Sequence, residues 1–182
     1  MAIKLLVLDW DGMLFDTDEA RHQASCHVYK MAGLKPPSFD DFLLNEDGLS
    51  LEQHNKLGFS KVSQAQTREW FFSVYDTNEC RLFPEVFLTL ADLIDLECEL
   101  KILSSHPTED IKRVLGKFRA AGRFTEVRGG VSDKASALGE IVGQSGLRSS
   151  EVATAGDLPA DIRAGKEAQV VTIGYIGTRV VR

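Results

Sequence analysis

Long apolar runs, clustered cysteines and blocks of positive charge are all missing from this 182-residue chain. The three cysteines, Cys26, Cys80 and Cys98, are far apart and form no Cys-x-x-Cys pair. That argues against a disulfide framework or a zinc site, and favours a reducing compartment in which the three pack as small hydrophobic residues. The N-terminal apolar run, Ile3 to Leu8 with only Lys4 interrupting it, is cut off by Asp9. It is too short for a signal-peptide core or a membrane span, so a cytoplasmic protein without membrane contact is expected. Net charge is −6 and no Lys/Arg block stands out, which argues against nucleic-acid binding and anionic membranes alike. A phosphorylated small molecule stays open as a partner, because one local cation or metal can override the global field. Neither an internal repeat nor a low-complexity segment is visible, and 43% hydrophobic content is enough to bury a core.

What is present begins with Leu5-Leu6-Val7-Leu8-Asp9-Trp10-Asp11-Gly12. An apolar run without a polar face reads as a buried strand of a parallel sheet. It ends in two carboxylates and a glycine, where open α/β sheets carry their chemistry. The same residues also favour a plain solvated turn. Helical patterns follow. Asp16-Thr17-Asp18-Glu19 reads as a capping box, with Ala20, Ala24, Val28, Met31 and Ala32 behind it at helical spacing and Gly33 as the stop. A second helix runs from Ser38 to near Gly48, a third from Ser50 to near Gly58, and a fourth from about Gln64 to Asn78. Trp70, Phe71, Val74 and Tyr75 in the fourth read as a core seam. Since no strand signal appears between Asp16 and Leu82, residues 17–82 form an expected all-helical insertion. Residues 1–16 and 83–182 form the expected main body.

In that body, strands alternate with helices: Leu100 to Leu103, Phe124 to Val127, Glu151 to Ala155 and Val170 to Ile173, after the first at Ile3 to Leu8. The alternation predicts an α/β fold with a mostly parallel sheet and helices on both faces. Three strands then end in polar groups at one edge: Asp9 and Asp11, Ser104 and Ser105, and Asp157 with Asp161 on the first turn of the next helix. Converging carboxylates repel by roughly 4 kcal/mol per pair at about 4 Å in an effective dielectric near 20. A bound cation relieves this, and an all-oxygen set without His or Cys suits Mg²⁺. A carboxylate attacking a phosphate meets the same repulsion and needs a further cation. Lys134, which opens a helix capped by Ser132 or Asp133, is the candidate. Ser104 is placed to donate to a phosphoryl oxygen, and Asp11 to protonate a leaving alkoxide and later deprotonate a water.

With these motifs in order, the chain resembles the haloacid dehalogenase superfamily of hydrolases. The resemblance is to its helical-cap subgroup, which includes phosphoglycolate phosphatase- and β-phosphoglucomutase-like proteins. It covers about Ile3 to Tyr175 and rests on Asp9-Trp10-Asp11-Gly12, Ser104, Lys134 and Gly156-Asp157-x-x-x-Asp161. It implies a Rossmann-like core with a small cap inserted after the first strand. Asp9 would be the nucleophile, Asp11 the general acid/base, and Ser104 and Lys134 the phosphoryl-holding groups. Mg²⁺ would sit on the Asp9 carboxylate, the Asp11 main-chain carbonyl and Asp157, with Asp161 a ligand through water or a partner of a ligand. Members that dehalogenate or cleave phosphonates lack a carboxylate at the position of Asp11, so phosphoryl transfer is the expected chemistry.

The leading expectation is a Mg²⁺-dependent phosphatase of small phosphate monoesters. A sugar phosphomutase and a catalytically silent binding protein are the alternatives. The chain departs from the family pattern in having Met13 after the glycine and no proline after Lys134. Lys112 and Lys117 are therefore fallbacks for Lys134, although both fit a solvated helix face, and Ser105 competes with Ser104. The four histidines read first as surface or packing residues; of them, His106 lies nearest the expected site. The acidic turn Asn45-Glu46-Asp47-Gly48 reads as a solvated loop of the cap. Relatives continue with a further helix and strand past the position of Arg182, which predicts an exposed sheet edge.

Overall fold

The computed structural model of the chain describes residues 2–47 and 51–176, with the side chains of 51–53 left out. Gly48 and Ser50, expected to end the second helix and open the third, lie outside the described residues, as does the chain beyond 176. The residues divide into two compact units, one of Met1–Asp16 and Leu82–Arg182, the other of Thr17–Arg81.

The first unit is a five-stranded parallel sheet. Its strands are β1 (Leu5–Leu8), β4 (Glu99–Leu103), β5 (Glu126–Arg128), β6 (Val152–Gly156) and β7 (Val171–Gly174), in the order β5-β4-β1-β6-β7. Short strands β2 (Phe15–Asp16) and β3 (Arg81–Leu82) pair separately. β1 is the central strand, and all four of its residues are buried, as a strand covered on both faces requires. Leu5 and Val7 join Leu103, Val152, Ala137, Leu138 and Ile141 in one core cluster, the last three from α7 (Lys134–Ser145). Also in this unit are α5 (Val86–Asp95), α6 (Thr108–Lys117) and α8 (Pro159–Glu167). The apolar residues of α6 recur at Ile111, Val114 and Leu115, all buried.

Register positions the chemistry. Leu8 aligns with Ile102 on one side and with Ala155 on the other. Asp9, Ser104 and Asp157 therefore leave neighbouring parallel strands at the same edge of the sheet. At the far side β7 pairs with β6, and Val171 and Ile173 are 42% and 46% exposed.

The second unit holds α1 (Asp18–Met31), α2 (Phe39–Asn45), α3 (Leu51–Lys56) and α4 (Gln64–Val74). Three local expectations change here. Asp16 belongs to β2, so it is Thr17 that precedes α1, without a side-chain cap bond. The inward face of α1 is Asp18, Arg21, Ala24 and Val28, while Met31 is exposed. Arg21 can be buried because Asp18 pairs with it at 2.5 Å and Glu46 at 3.4 Å. Finally, the aromatic stripe of α4 is only partly covered: Thr67 is its buried residue, while Phe71, Phe72 and Tyr75 stack on one another.

Candidate active site

Asp9 sits where β1 stops but the sheet still holds the backbone, its N–H donating to the Ala155 carbonyl at 2.9 Å. The residues after it form a tight flap. Leu14 and Phe15 both donate to the Trp10 carbonyl at 3.0 Å, and Gly12 donates to the Phe15 carbonyl at 2.8 Å. Gly12 has φ of 75°, a conformation that glycine adopts without a Cβ penalty. Trp10 is fully buried, with its ring centroid 5.1 Å from that of Phe15. The aromatic pair anchors the flap from which Asp11 projects.

Lys134 links two carboxylates. Its ammonium lies 2.9 Å from Asp9 Oδ2 and 2.6 Å from Asp161 Oδ1. Asp133 starts the helix, its carboxylate accepting from the Ser136 N–H at 3.0 Å. Asp161 is fixed from the other side by the Leu158 N–H, which donates to Oδ2 at 3.0 Å. A Cβ on Gly156 would collide with the Asp161 side chain, so glycine there is what lets β6 pass this close to α8. Oxygens of Asp9, Asp157 and Asp161 all lie within 4.8 Å of one another.

Three carboxylates thus gather around one ammonium in a largely buried cluster. Burial pushes the Asp9 carboxyl up to about 6, with Asp161 and Asp11 adding to the rise and Lys134 opposing it. Burial would lower the Lys134 ammonium, but Asp9 and Asp161 outweigh it and hold the group above its ordinary value. Asp9 is 6% exposed, and its Oδ1 is buried without a hydrogen-bond partner among the described residues. An unsatisfied buried oxygen costs about 1–3 kcal/mol, more when charged. A hard divalent cation held by oxygens fits both the gathered carboxylates and the orphaned atom.

Ser104 ends the neighbouring strand and is almost fully buried. Its N–H donates to the Arg128 carbonyl at 3.0 Å and its carbonyl accepts from the Val131 N–H at 3.0 Å. Its Oγ accepts from the His106 N–H at 3.1 Å, so the hydroxyl proton remains for another acceptor. Ser105 is less buried. His106 Nδ1 stands 3.0 Å from Asp11 Oδ2. The structure thus brings Asp9, Lys134, Asp157 and Asp161 into one cluster, while the Asp11 side chain is engaged by His106 beside it. Lys112 is paired with Glu109 on an exposed face of α6, and Lys117 is exposed as well. His106 is the residue that sequence reasoning undervalued. Its closeness to Ser104 in sequence was a signal, but its partner lies 95 residues away.

The family model described as "Haloacid dehalogenase-like hydrolase" matches residues 6–175 of this chain. The phosphoglycolate phosphatase of Photorhabdus laumondii subsp. laumondii is 33% identical over 117 residues, covering 60% of this chain and 50% of the relative. The chain therefore aligns with half the length of that protein. Among solved structures, a predicted phosphatase from Clostridium acetobutylicum superimposes with a TM-score of 0.81 at 16% identity, covering 96% of this chain and 85% of that one. A haloacid dehalogenase-like family hydrolase from Streptococcus pneumoniae gives 0.76 at 19% identity, with coverage of 94% and 84%. At these identities the two structures establish the shared fold.

Proposed function

Because the chain belongs to the haloacid dehalogenase-like hydrolase family, we propose that it is a Mg²⁺-dependent phosphatase of small phosphate monoesters, working through an aspartyl-phosphate on Asp9. The observation that carries this reading is the state of Asp9: one oxygen held by Lys134, the other buried and unsatisfied beside Asp157 and Asp161. Met1–Asp16 with Leu82–Arg182 is the catalytic core, and Thr17–Arg81 is a helical cap that selects the leaving group. Mg²⁺ would be held by the Asp9 and Asp157 carboxylates and the Asp11 main-chain carbonyl, with Asp161 acting through water or on a ligand. It supplies positive charge against which a phosphate dianion can approach a carboxylate.

The chain's own groups supply the rest. An Asp9 carboxylate oxygen attacks phosphorus, and the bond from phosphorus to the ester oxygen breaks, its electron pair passing to that oxygen. Asp11 gives that oxygen its proton, so an alcohol leaves. Ser104 Oγ–H and the Lys134 ammonium bind the phosphoryl oxygens and stabilise the charge that builds there. In the second step the Asp11 carboxylate takes a proton from water as the water oxygen attacks phosphorus. The bond to Asp9 breaks, its electrons return to the carboxylate, and inorganic phosphate departs.

Purified protein with Mg²⁺, presented with a panel of phosphorylated metabolites and scored by phosphate release, tests the reading. Phosphoglycolate heads the panel because the Photorhabdus laumondii relative is a phosphoglycolate phosphatase. Release that requires Mg²⁺ is expected from at least one ester. A panel that is inert with every divalent cation contradicts the reading.

A further inference from the structure

His106 is one of few buried polar side chains of the first unit that the proposed mechanism leaves without a task. It is 2% exposed, and its loop is held by three separate groups. Its N–H donates to Ser104 Oγ at 3.1 Å, and its carbonyl accepts from the Gly130 N–H at 2.7 Å. Pro107 follows it directly and precedes the first residue of α6, fixing the backbone at the loop's exit. Gly129 passes so close beneath that a Cβ there would strike the His106 carbonyl and the Thr108 backbone. The Gly129 N–H is in turn bound by Thr108 Oγ1 at 2.9 Å. The ring reaches the site through Nδ1, which lies 3.0 Å from Asp11 Oδ2.

From this geometry we infer that His106 is the positioning residue for Asp11: Nδ1–H holds Oδ2 so that Oδ1 is the oxygen that delivers and later collects the proton. The inference rests on the phosphatase reading above. An ionised carboxylate is acceptor-only, so the proton between the two groups belongs to Nδ1. A carboxyl oxygen that already accepts a hydrogen bond is the worse place for the acid's own proton, which assigns it to Oδ1. A side chain on a short flap turns about two torsions, and general acid catalysis depends on hydrogen-bond reach to the departing oxygen. Fixing one oxygen fixes the other. In this role His106 acts through Asp11.

The dependence on leaving group separates this role from simple structural support. An aryl oxide such as p-nitrophenolate departs with little help from an acid, whereas an alkoxide departs only as it is protonated. The experiment measures kcat/KM with Mg²⁺ for wild type, His106→Ala, His106→Asn and His106→Gln across phosphate esters from p-nitrophenyl to simple alkyl. The Asn amide nitrogen reproduces the position of Nδ1, and the Gln amide nitrogen that of Nε2. For His106→Ala, a loss of about 10- to 100-fold is expected on alkyl esters, part of the roughly 10²- to 10⁴-fold that a positioned acid contributes. The loss on p-nitrophenyl phosphate should be less than about threefold. His106→Asn should recover most of the alkyl-ester rate and His106→Gln should not. A loss of equal size across the series, or equal rates for Asn and Gln, overturns the inference while leaving a phosphatase. Wild type inert on every ester overturns the phosphatase reading and this inference with it. If His106→Ala does not fold, the Asn and Gln pair, close to histidine in volume, carries the same comparison.

Discussion

Lys134 is the residue on which the electrostatics of the cluster turn. It compensates Asp9 and Asp161 at 2.9 and 2.6 Å, with both carboxylates buried. Removing one partner of a buried ion pair costs about 3–5 kcal/mol, because the charge left behind is uncompensated. Lys134→Met, measured by urea unfolding in a chelator, is expected to lose about 3 kcal/mol or more. Part of that loss should return when Mg²⁺ is added, since a divalent cation on Asp9 and Asp157 takes over the neutralisation. A variant as stable as wild type in chelator would contradict the ion-pair geometry. At this scale the gathering of Asp9, Asp157 and Asp161 was legible from several apolar runs each ending in a carboxylate, although Asp9 and Asp11 alone suit a solvated turn equally well. The sequence does not announce His106. A lone histidine carries no pattern, and its meaning lies in a partner brought near by the parallel pairing of β1 with β4.

Elements set the spacing of the site by close approach. Gly129 is the least forgiving instance, since the atoms a Cβ would meet are backbone, the His106 carbonyl and Thr108 N–H. Backbone cannot rotate away, so Gly129→Ala is expected to destabilise by about 1–3 kcal/mol in thermal or urea unfolding. Unchanged stability would show that the His106 loop is looser than described. At the opposite end of the sheet, Glu151 ties β6 to its neighbours. Its carboxylate accepts from Arg148 Nε at 3.0 Å and from the Arg148 N–H at 3.1 Å, and lies 2.8 Å from the Lys4 ammonium. The Arg148 side chain first, then Lys4 and the Arg148 N–H, hold its pKa down at about 2 from 4.5. A depressed carboxyl pKa stabilises the fold fully above its unfolded value, and that contribution is lost as pH falls through the folded value. Glu151→Gln should therefore lower stability at pH 6, and its difference from wild type should shrink between about pH 4.5 and 2. A difference constant over that window would count against the assignment. The strands were legible because buried parallel strands are apolar on both faces. The inward face of α1 was not, because Asp18 and Arg21 are buried as a pair and periodicity counts only apolar residues.

For the molecule as a whole, binding of a metal at this cluster would be coupled to folding. The carboxylates of Asp9, Asp157 and Asp161 are gathered from distant positions in the folded chain; unfolding disperses them. Mg²⁺ should therefore raise the melting temperature in a concentration-dependent way, the stabilisation reaching about 2.7 kcal/mol at a hundredfold excess over Kd. Asp157→Asn should remove most of that shift without abolishing the fold; an equal shift in the variant would place the ion elsewhere. The overall charge of −6 attracts any cation weakly, so Na⁺ at matched ionic strength supplies the control for general screening. Family membership gives this scale its frame, and among the described residues no helix is long and apolar enough to cross a membrane.

The central claim is that Asp9 makes a bond to phosphorus. The direct measurement is to quench the enzyme in acid during turnover of its best phosphate ester and map the phosphoryl group by peptide mass spectrometry. The account predicts phosphate on the peptide bearing Asp9, sensitive to hydroxylamine as an acyl phosphate is. It predicts neither adduct nor phosphate release for a folded Asp9→Asn. Turnover by Asp9→Asn at a rate near that of wild type, or a wild-type adduct on any other side chain, would contradict it.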